Sequence, residues 1–239
     1  MVVVEQKTSS SRKSASAPLG GAKQFVPTEP EREFGKLADR INFRARSTIF
    51  TENKHAIAVY ILTDGTARLY KMLDDGRRQV VGFALPGDFL GLSVSDRYTC
   101  SVDAISQVTA CQFLRKPFVD FLKANPKSLI LMLEASLRET NAARDHMLLL
   151  GRGTAEEKLA EFIISWRSRV SRTGVRTNLV PLPMSRNDIA DFLGLTTETV
   201  SRVLAKLERE DVLRLVPKGL QLMGSKERPL LFERSYRVS

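Results

Sequence analysis

Residues 185–207 read SRNDIADFLGLTTETVSRVLAKL, two short helical runs separated by the single glycine Gly194. Ser185 is placed to cap the first run through Asp188, while Ile189 and Leu193 face a core. Gly194 supplies the left-handed turn that reverses the chain within a few residues. Ala190 is small enough to let the second helix cross closely, and Val200 fills the angle between the two helices, with Leu204 and Leu207 below it. A small residue, a turn glycine and a branched residue at these offsets form the pattern of a helix-turn-helix, although any tight αα corner can show it.

The outer face of the second run separates the two readings. With Leu195, Val200 and Leu204 turned inward, Thr197, Glu198, Ser201 and Arg202 gather outside, near the helix start, and Glu198 and Arg202 stand one turn apart. An exposed Glu and Arg at that spacing can be a simple surface ion pair. The same set also meets the needs of base reading: arginine bonds O6 and N7 of guanine, glutamate accepts from a base amine, and serine or threonine meets a base or a phosphate. Downstream, VLRLVPKGLQLM reads as a hairpin turning at Lys218-Gly219, a wing whose lysine reaches phosphate.

The 239 residues carry a formal net charge of +10 and are 43% hydrophobic. That is enough apolar material for one large or two ordinary domains, and the charge suits a polyanion, although a membrane surface or RNA would attract it equally. The two cysteines, Cys100 and Cys111, match no metal-ligand or CxxC spacing and read as buried small hydrophobes in a reducing compartment. No apolar run approaches the length of a spanning helix, and MVVVEQK is too short and too soon charged for a signal peptide, so a cytoplasmic protein without a membrane partner is expected.

Residues 1–28 are small, polar and aperiodic, and read as a flexible tail. From 29 to 126 the sequence predicts a compact antiparallel β-roll or barrel, in which the Asp64-Gly65 and Asp75-Gly76 pairs make hairpin turns. After Pro126 the period becomes helical. Leu129, Leu133, Leu137, Thr140, Arg144, Met147 and Leu148 recur at three- and four-residue steps, which predicts one long helix over 127–151 ended by Gly151 and Gly153. Such a helix either packs on its own β domain or pairs with a second copy. TAEE, Thr154 to Glu157, then opens the next helix with a capping box and begins a second domain over 152–239.

The whole order resembles the Crp/Fnr superfamily of bacterial transcription regulators, most of all the FixK branch linked to nitrogen fixation. LPGDFLGL, LLGRGTAEEKLAEFII and LPMSRNDIADFLGLTTETVSRVLAKLE carry the resemblance. It implies an α+β chain: an N-terminal antiparallel β-roll like a cyclic-nucleotide-binding domain, a long dimerisation helix, and a C-terminal winged helix-turn-helix. It also implies a homodimer that binds a palindromic promoter site in double-stranded DNA and contacts RNA polymerase to activate transcription. Glu198, Ser201 and Arg202 fall on the Glu-x-x-Ser-Arg pattern that reads a TTGA-type half-site. Ser185, Arg186, Thr197, Thr199, Lys206 and Lys218 are expected to meet the DNA backbone or support that helix, and Leu133, Leu137, Thr140, Met147 and Leu148 to form the dimer seam.

Departures from the family bear on the signal. Cyclic-nucleotide binders carry a glutamate after the roll glycine and a later Arg-Ser pair, whereas this chain has Gly91-Leu92 and then Tyr98-Thr99. Neither charge for a cyclic phosphate is there. Residues 1–99 contain no cysteine, so the N-terminal iron-sulfur ligation of the oxygen sensors is missing. His55 and His146 read as surface or packing residues. No cofactor, metal site or catalytic set is expected, which leaves two classes: an activator that works without a small ligand, or a regulator whose β-roll holds an unrecognised effector.

Overall fold

A computed structural model describes residues 38–174 and 179–223. The expected tail at 1–28 and the last part of the 152–239 segment lie outside these residues. The chain is α+β, with an antiparallel roll, a long helix and a winged helix-turn-helix in that order.

Eight strands make the roll: β1 (Asp39–Phe43), β2 (Thr48–Phe50), β3 (Ala58–Asp64), β4 (Ala67–Met72), β5 (Arg78–Ala84), β6 (Phe89–Leu90), β7 (Ser101–Ala104) and β8 (Val108–Leu114). They form two antiparallel sheets, ordered β1-β8-β3-β6 and β2-β7-β4-β5. Asp75-Gly76 closes the β4–β5 hairpin as expected. Asp64-Gly65 does not close a hairpin. Strands β3 and β4 belong to different sheets, so this pair turns the corner between them. The turn chemistry is local, but which sheet receives the next strand depends on distant pairing.

Alternation along β3 sorts the cores. Ala58, Tyr60 and Leu62 enter the roll interior, while Val59 and Ile61 face outward beneath helix α1 (Arg115–Ala124) with Phe113, Phe118 and Leu122. Aromatic rings fill the interior: Tyr98 stacks on Phe50 at 4.0 Å, and Phe50 stacks on Tyr60 at 5.8 Å. The Tyr98 hydroxyl donates to the Ala58 carbonyl at 3.0 Å, which fixes the ring there.

Helix α2 (Pro126–Arg152) runs through Gly151, and Gly153 alone caps it, donating from its amide to the Leu149 carbonyl at 3.0 Å. One glycine inside a helix lowers its propensity but does not break it. Helix α3 (Ala155–Arg172) opens with the Thr154–Glu157 capping box. Strand β9 (Leu179–Pro181), α4 (Arg186–Leu193), α5 (Thr197–Arg209), β10 (Leu213–Val216) and β11 (Gly219–Leu222) follow. Val80, Phe83 and Leu85 of the roll share one continuous core with Phe162, Trp166, Ile189 and Leu193. Among the described residues no helix is long and apolar enough to cross a membrane.

Candidate nucleic-acid interface

The corner at 185–207 folds as its residues dictate. Ser185 caps α4 through a reciprocal box with Asp188: the Asp188 amide donates to Ser185 Oγ at 3.1 Å and the Ser185 amide to Asp188 Oδ2 at 3.1 Å. Gly194 ends the helix in the left-handed region at φ 62°, where a side chain would be strained. Ala190, Leu193, Val200 and Leu204 are buried at the crossing. Thr196 caps α5 by accepting from the Thr199 amide at 3.1 Å, a cap not anticipated from the sequence.

Glu198 and Arg202 are exposed and Ser201 is half-buried, all on the outer face of α5. Arg186 at the start of α4 donates to the Ser201 hydroxyl at 3.2 Å, and the Thr197 hydroxyl donates to Asn187 Oδ1 at 3.2 Å. The two helix starts therefore present one polar surface, to which Asn187 also belongs. Lys206 is engaged: its ammonium lies 2.6 Å from Glu156 Oε1 of α3 and 4.0 Å from Glu210. Between the start of α3 and α5 runs a cleft of about 680 Å³ lined by Thr154, Glu156, Arg202, Lys206 and Arg209.

The wing is a three-stranded sheet, ordered β10-β11-β9. Its turn is Pro217-Lys218, one residue earlier than expected, because Val216 already pairs with Gly219. Proline sets the first turn angle and Lys218 takes the positive φ of 64°. Gly219 serves the sheet rather than the turn. A Cβ there would sit 2.5 Å from the Val180 carbonyl, so only glycine lets β11 pass close to β9. Lys218 is exposed at the tip.

Behind the surface, α4 is fastened to the roll. Asp188 Oδ1 accepts from Arg68 at 2.9 Å and from Arg78 at 2.8 Å, and Arg78 also reaches Asp191 at 3.0 Å. Arg68 continues to Asp103 at 3.0 Å. Burial works against the ionised Asp188, yet the hydrogen bonds from Ser185 and the two guanidinium charges outweigh it and hold its carboxyl below the ordinary value. His146 of α2 stacks on Phe192 of α4 at 3.9 Å, a packing role as expected. His55 lies at the surface, 3.4 Å from Asp96.

The pattern of bacterial regulatory proteins of the Crp family matches residues 182–213, and that of the cyclic nucleotide-binding domain matches residues 40–125. The chain is 50% identical over 203 residues to the transcriptional activatory protein AadR of Rhodopseudomonas palustris, covering 85% of this chain and 84% of that one. The chain belongs to the Crp/Fnr family. As a member of that family it is a DNA-binding transcription regulator. It is also 49% identical over 192 residues to the nitrogen fixation regulation protein FixK of Bradyrhizobium diazoefficiens, covering 80% of this chain and 81% of that one. The solved structure of FixK2 from Bradyrhizobium japonicum superposes with a TM-score of 0.74 at 33% identity, covering 81% of this chain and 96% of that one.

The structure also places the residues at the roll positions where the departures from the family occur. Leu92 packs partly against the outer core, Tyr98 fills the interior, and Arg97 turns outward to donate to the Asn53 carbonyl at 2.6 Å.

Proposed function

We propose that the chain is a cytoplasmic activator that binds, as a homodimer, a palindromic TTGA-type promoter site and contacts RNA polymerase there, with neither a cyclic nucleotide nor an iron-sulfur cluster. The observation that carries this reading is the outer face of α5, where Glu198, Ser201 and Arg202 stand clear of the core on a helix braced from behind by α4. In the proposed complex Arg202 pairs with the half-site guanine, Glu198 accepts from a base amine, and Ser201 and Thr197 meet bases or phosphates. Arg186 and Lys218 meet phosphate, while Ser185, Thr199 and Lys206 support the helices. Six residues of α2, Leu129, Ile130, Leu133, Leu137, Met147 and Leu148, are between 44% and 68% exposed. An apolar stripe of that length on one helix supports pairing with a second copy, with Thr140 in the same seam. The similarity to AadR, a transcriptional activatory protein, supports activation.

A gel shift with purified protein and a TTGA palindrome, with and without cyclic nucleotides, tests the reading. Binding that is sequence-specific and indifferent to nucleotide is expected; a requirement for nucleotide overturns the ligand-free part. A second reading, a regulator whose roll domain takes another small effector, is favoured by a cavity on the outer side of the first sheet.

A further inference from the structure

Strand β5 is an edge of the second sheet, and α4 packs along it. Three polar side chains of the roll hold that helix at both of its turns. In the first turn the Asp188 carboxylate accepts from Arg68 of β4 and from Arg78 of β5. In the last turn Asp191 accepts from Arg78 through its carboxylate, at 3.0 Å, and from Gln79 through its backbone carbonyl. One atom, Arg78 Nη2, thus serves carboxylates in both turns. Arg68 is tied in turn to Asp103 of β7, and both guanidiniums lie over the Tyr70 ring, at 5.9 and 5.8 Å from its centre, so the cluster is anchored in the sheet itself.

Apolar contact also joins α4 to the roll, but it is non-directional and does not by itself fix how a helix is turned or slid along its neighbour. Charge-assisted bonds to two carboxylates on one helix face do fix it. The crossing of α4 and α5 is closed by Ala190, Gly194 and Val200, so the pose of α4 on β5 is also the pose of α5. The roll in turn packs on α2, through Met132 and Ala135. A braced route therefore runs from α2 through the roll to α5, whereas the covalent route passes through the two-residue connector Gly153-Thr154 and the whole of α3. We infer that Arg78, helped by Arg68 and Gln79, positions the DNA-binding helices: by pinning α4 to the roll it sets where the two α5 helices of a dimer stand, and so which separation of half-sites the protein accepts. Each base pair added between half-sites moves one of them by about 3.4 Å and turns it by about 35°, a change that a braced pair of helices rejects and a loosely held pair follows.

The inference rests on the proposed reading of a dimer on a palindrome, and its test separates the two. Full-length chain is titrated in gel shifts against paired TTGA half-sites whose spacer is changed one base pair at a time, and half-sites altered base by base at the best spacer give the base ranking. The native chain should prefer its best spacer over the next by at least about ten-fold. Arg78→Met should cut that preference to about three-fold or less and leave the base ranking intact. Arg78→Lys should restore most of it, because a single ammonium can reach both carboxylates as the single Nη2 does. Gln79→Met removes one neutral hydrogen bond and should give an intermediate loss, which keeps the test decisive if Arg78→Met does not fold. A purely structural role would lower affinity for every spacer in proportion and leave the ratio where it was. An unchanged ratio in the folded variants, or a native chain indifferent to spacer length, overturns the inference while the base ranking still supports the functional reading. Absence of sequence-specific binding by the native chain overturns both.

Discussion

Arg78 of the roll donates to the Asp188 carboxylate of the helix-turn-helix at 2.8 Å, across 110 residues of sequence. The same carboxylate closes the cap of α4, so one side chain both starts that helix and fastens it to the roll. Asp188→Asn should therefore destabilise the fold by about 3 kcal/mol, since it leaves Arg68 and Arg78 around a neutral amide. Urea unfolding at pH 7 measures this directly.

The same group gives a pH dependence with a definite sign. Because the folded carboxyl titrates below its ordinary value of 3.8, its stabilisation is complete above that value and is lost as pH falls through the lower folded value. Unfolding free energies taken from about pH 5 down to pH 2 should fall more steeply for the native chain than for Asp188→Asn. Equal slopes would mean that the ion pairs contribute nothing.

Arg202→Ala should cost roughly 1 to 3 kcal/mol in DNA binding and flatten preference at the guanine of each half-site. Lys218→Ala should instead weaken all sequences alike and lower the salt dependence by about one counterion per half-site. Glu198→Ala should raise non-specific affinity while relaxing discrimination at one base pair. Competition gel shifts against half-sites varied one base at a time measure all three. A uniform loss for Arg202→Ala, with the base ranking intact, would make Arg202 a phosphate anchor.

Glu156 holds the ammonium of Lys206 at 2.6 Å, beside the cleft that Arg202 and Arg209 also line. Glu156→Gln should release that cation toward DNA and steepen the salt dependence by about one counterion per half-site. Unchanged affinity across a salt series would show that Lys206 plays no part at the nucleic-acid surface.

Charge placed at both Leu137 and Met147, exposed at 54% and 63%, should yield monomers that lose most DNA affinity. Sedimentation measures the association state. A double variant that remains dimeric moves the interface off this stripe.

Cys100 is a poor candidate for an oxidant sensor. Burial, followed by the charges of Glu139 and Glu52, pushes its thiol from 9.0 up to about 11, against a small opposing effect of Lys71. In a Cys111→Ser background at pH 8, reaction with a thiol reagent should be roughly 100-fold slower than that of an ordinary cysteine. Rapid native-state labelling would contradict this.

Short-range chemistry is readable from the chain. Ser185, Asp188 and Gly194 announce a capped helix and its turn within ten residues, and Thr154 to Glu157 does the same for α3. The period of Leu133 and Leu137 announces the long helix. What local signals do not supply is long-range choice. Asp64-Gly65 has the chemistry of a turn but not the identity of the sheet beyond it. Lys206 reads as a residue that meets the DNA backbone or supports the helix, and nothing near it in sequence announces the Glu156 that α3 brings to it. Nothing near Arg68 or Arg78 points to an aspartate more than a hundred residues on. Local signals also place the wing turn one residue late, because Gly219 looks like a turn glycine and is in fact required for its closeness to Val180.

The shared core of Val80, Phe83 and Leu85 with Trp166, Ile189 and Leu193 has a consequence for biosynthesis. Synthesis runs from the amino terminus, so β5 leaves the ribosome about a hundred residues before α4, which must cover it. In that interval the roll carries an uncovered apolar face and two arginines with no carboxylate of α4 to meet them, a state open to wrong partners. A chain truncated within α2 would be left in that state for good, and is therefore expected to aggregate rather than to behave as an independent module.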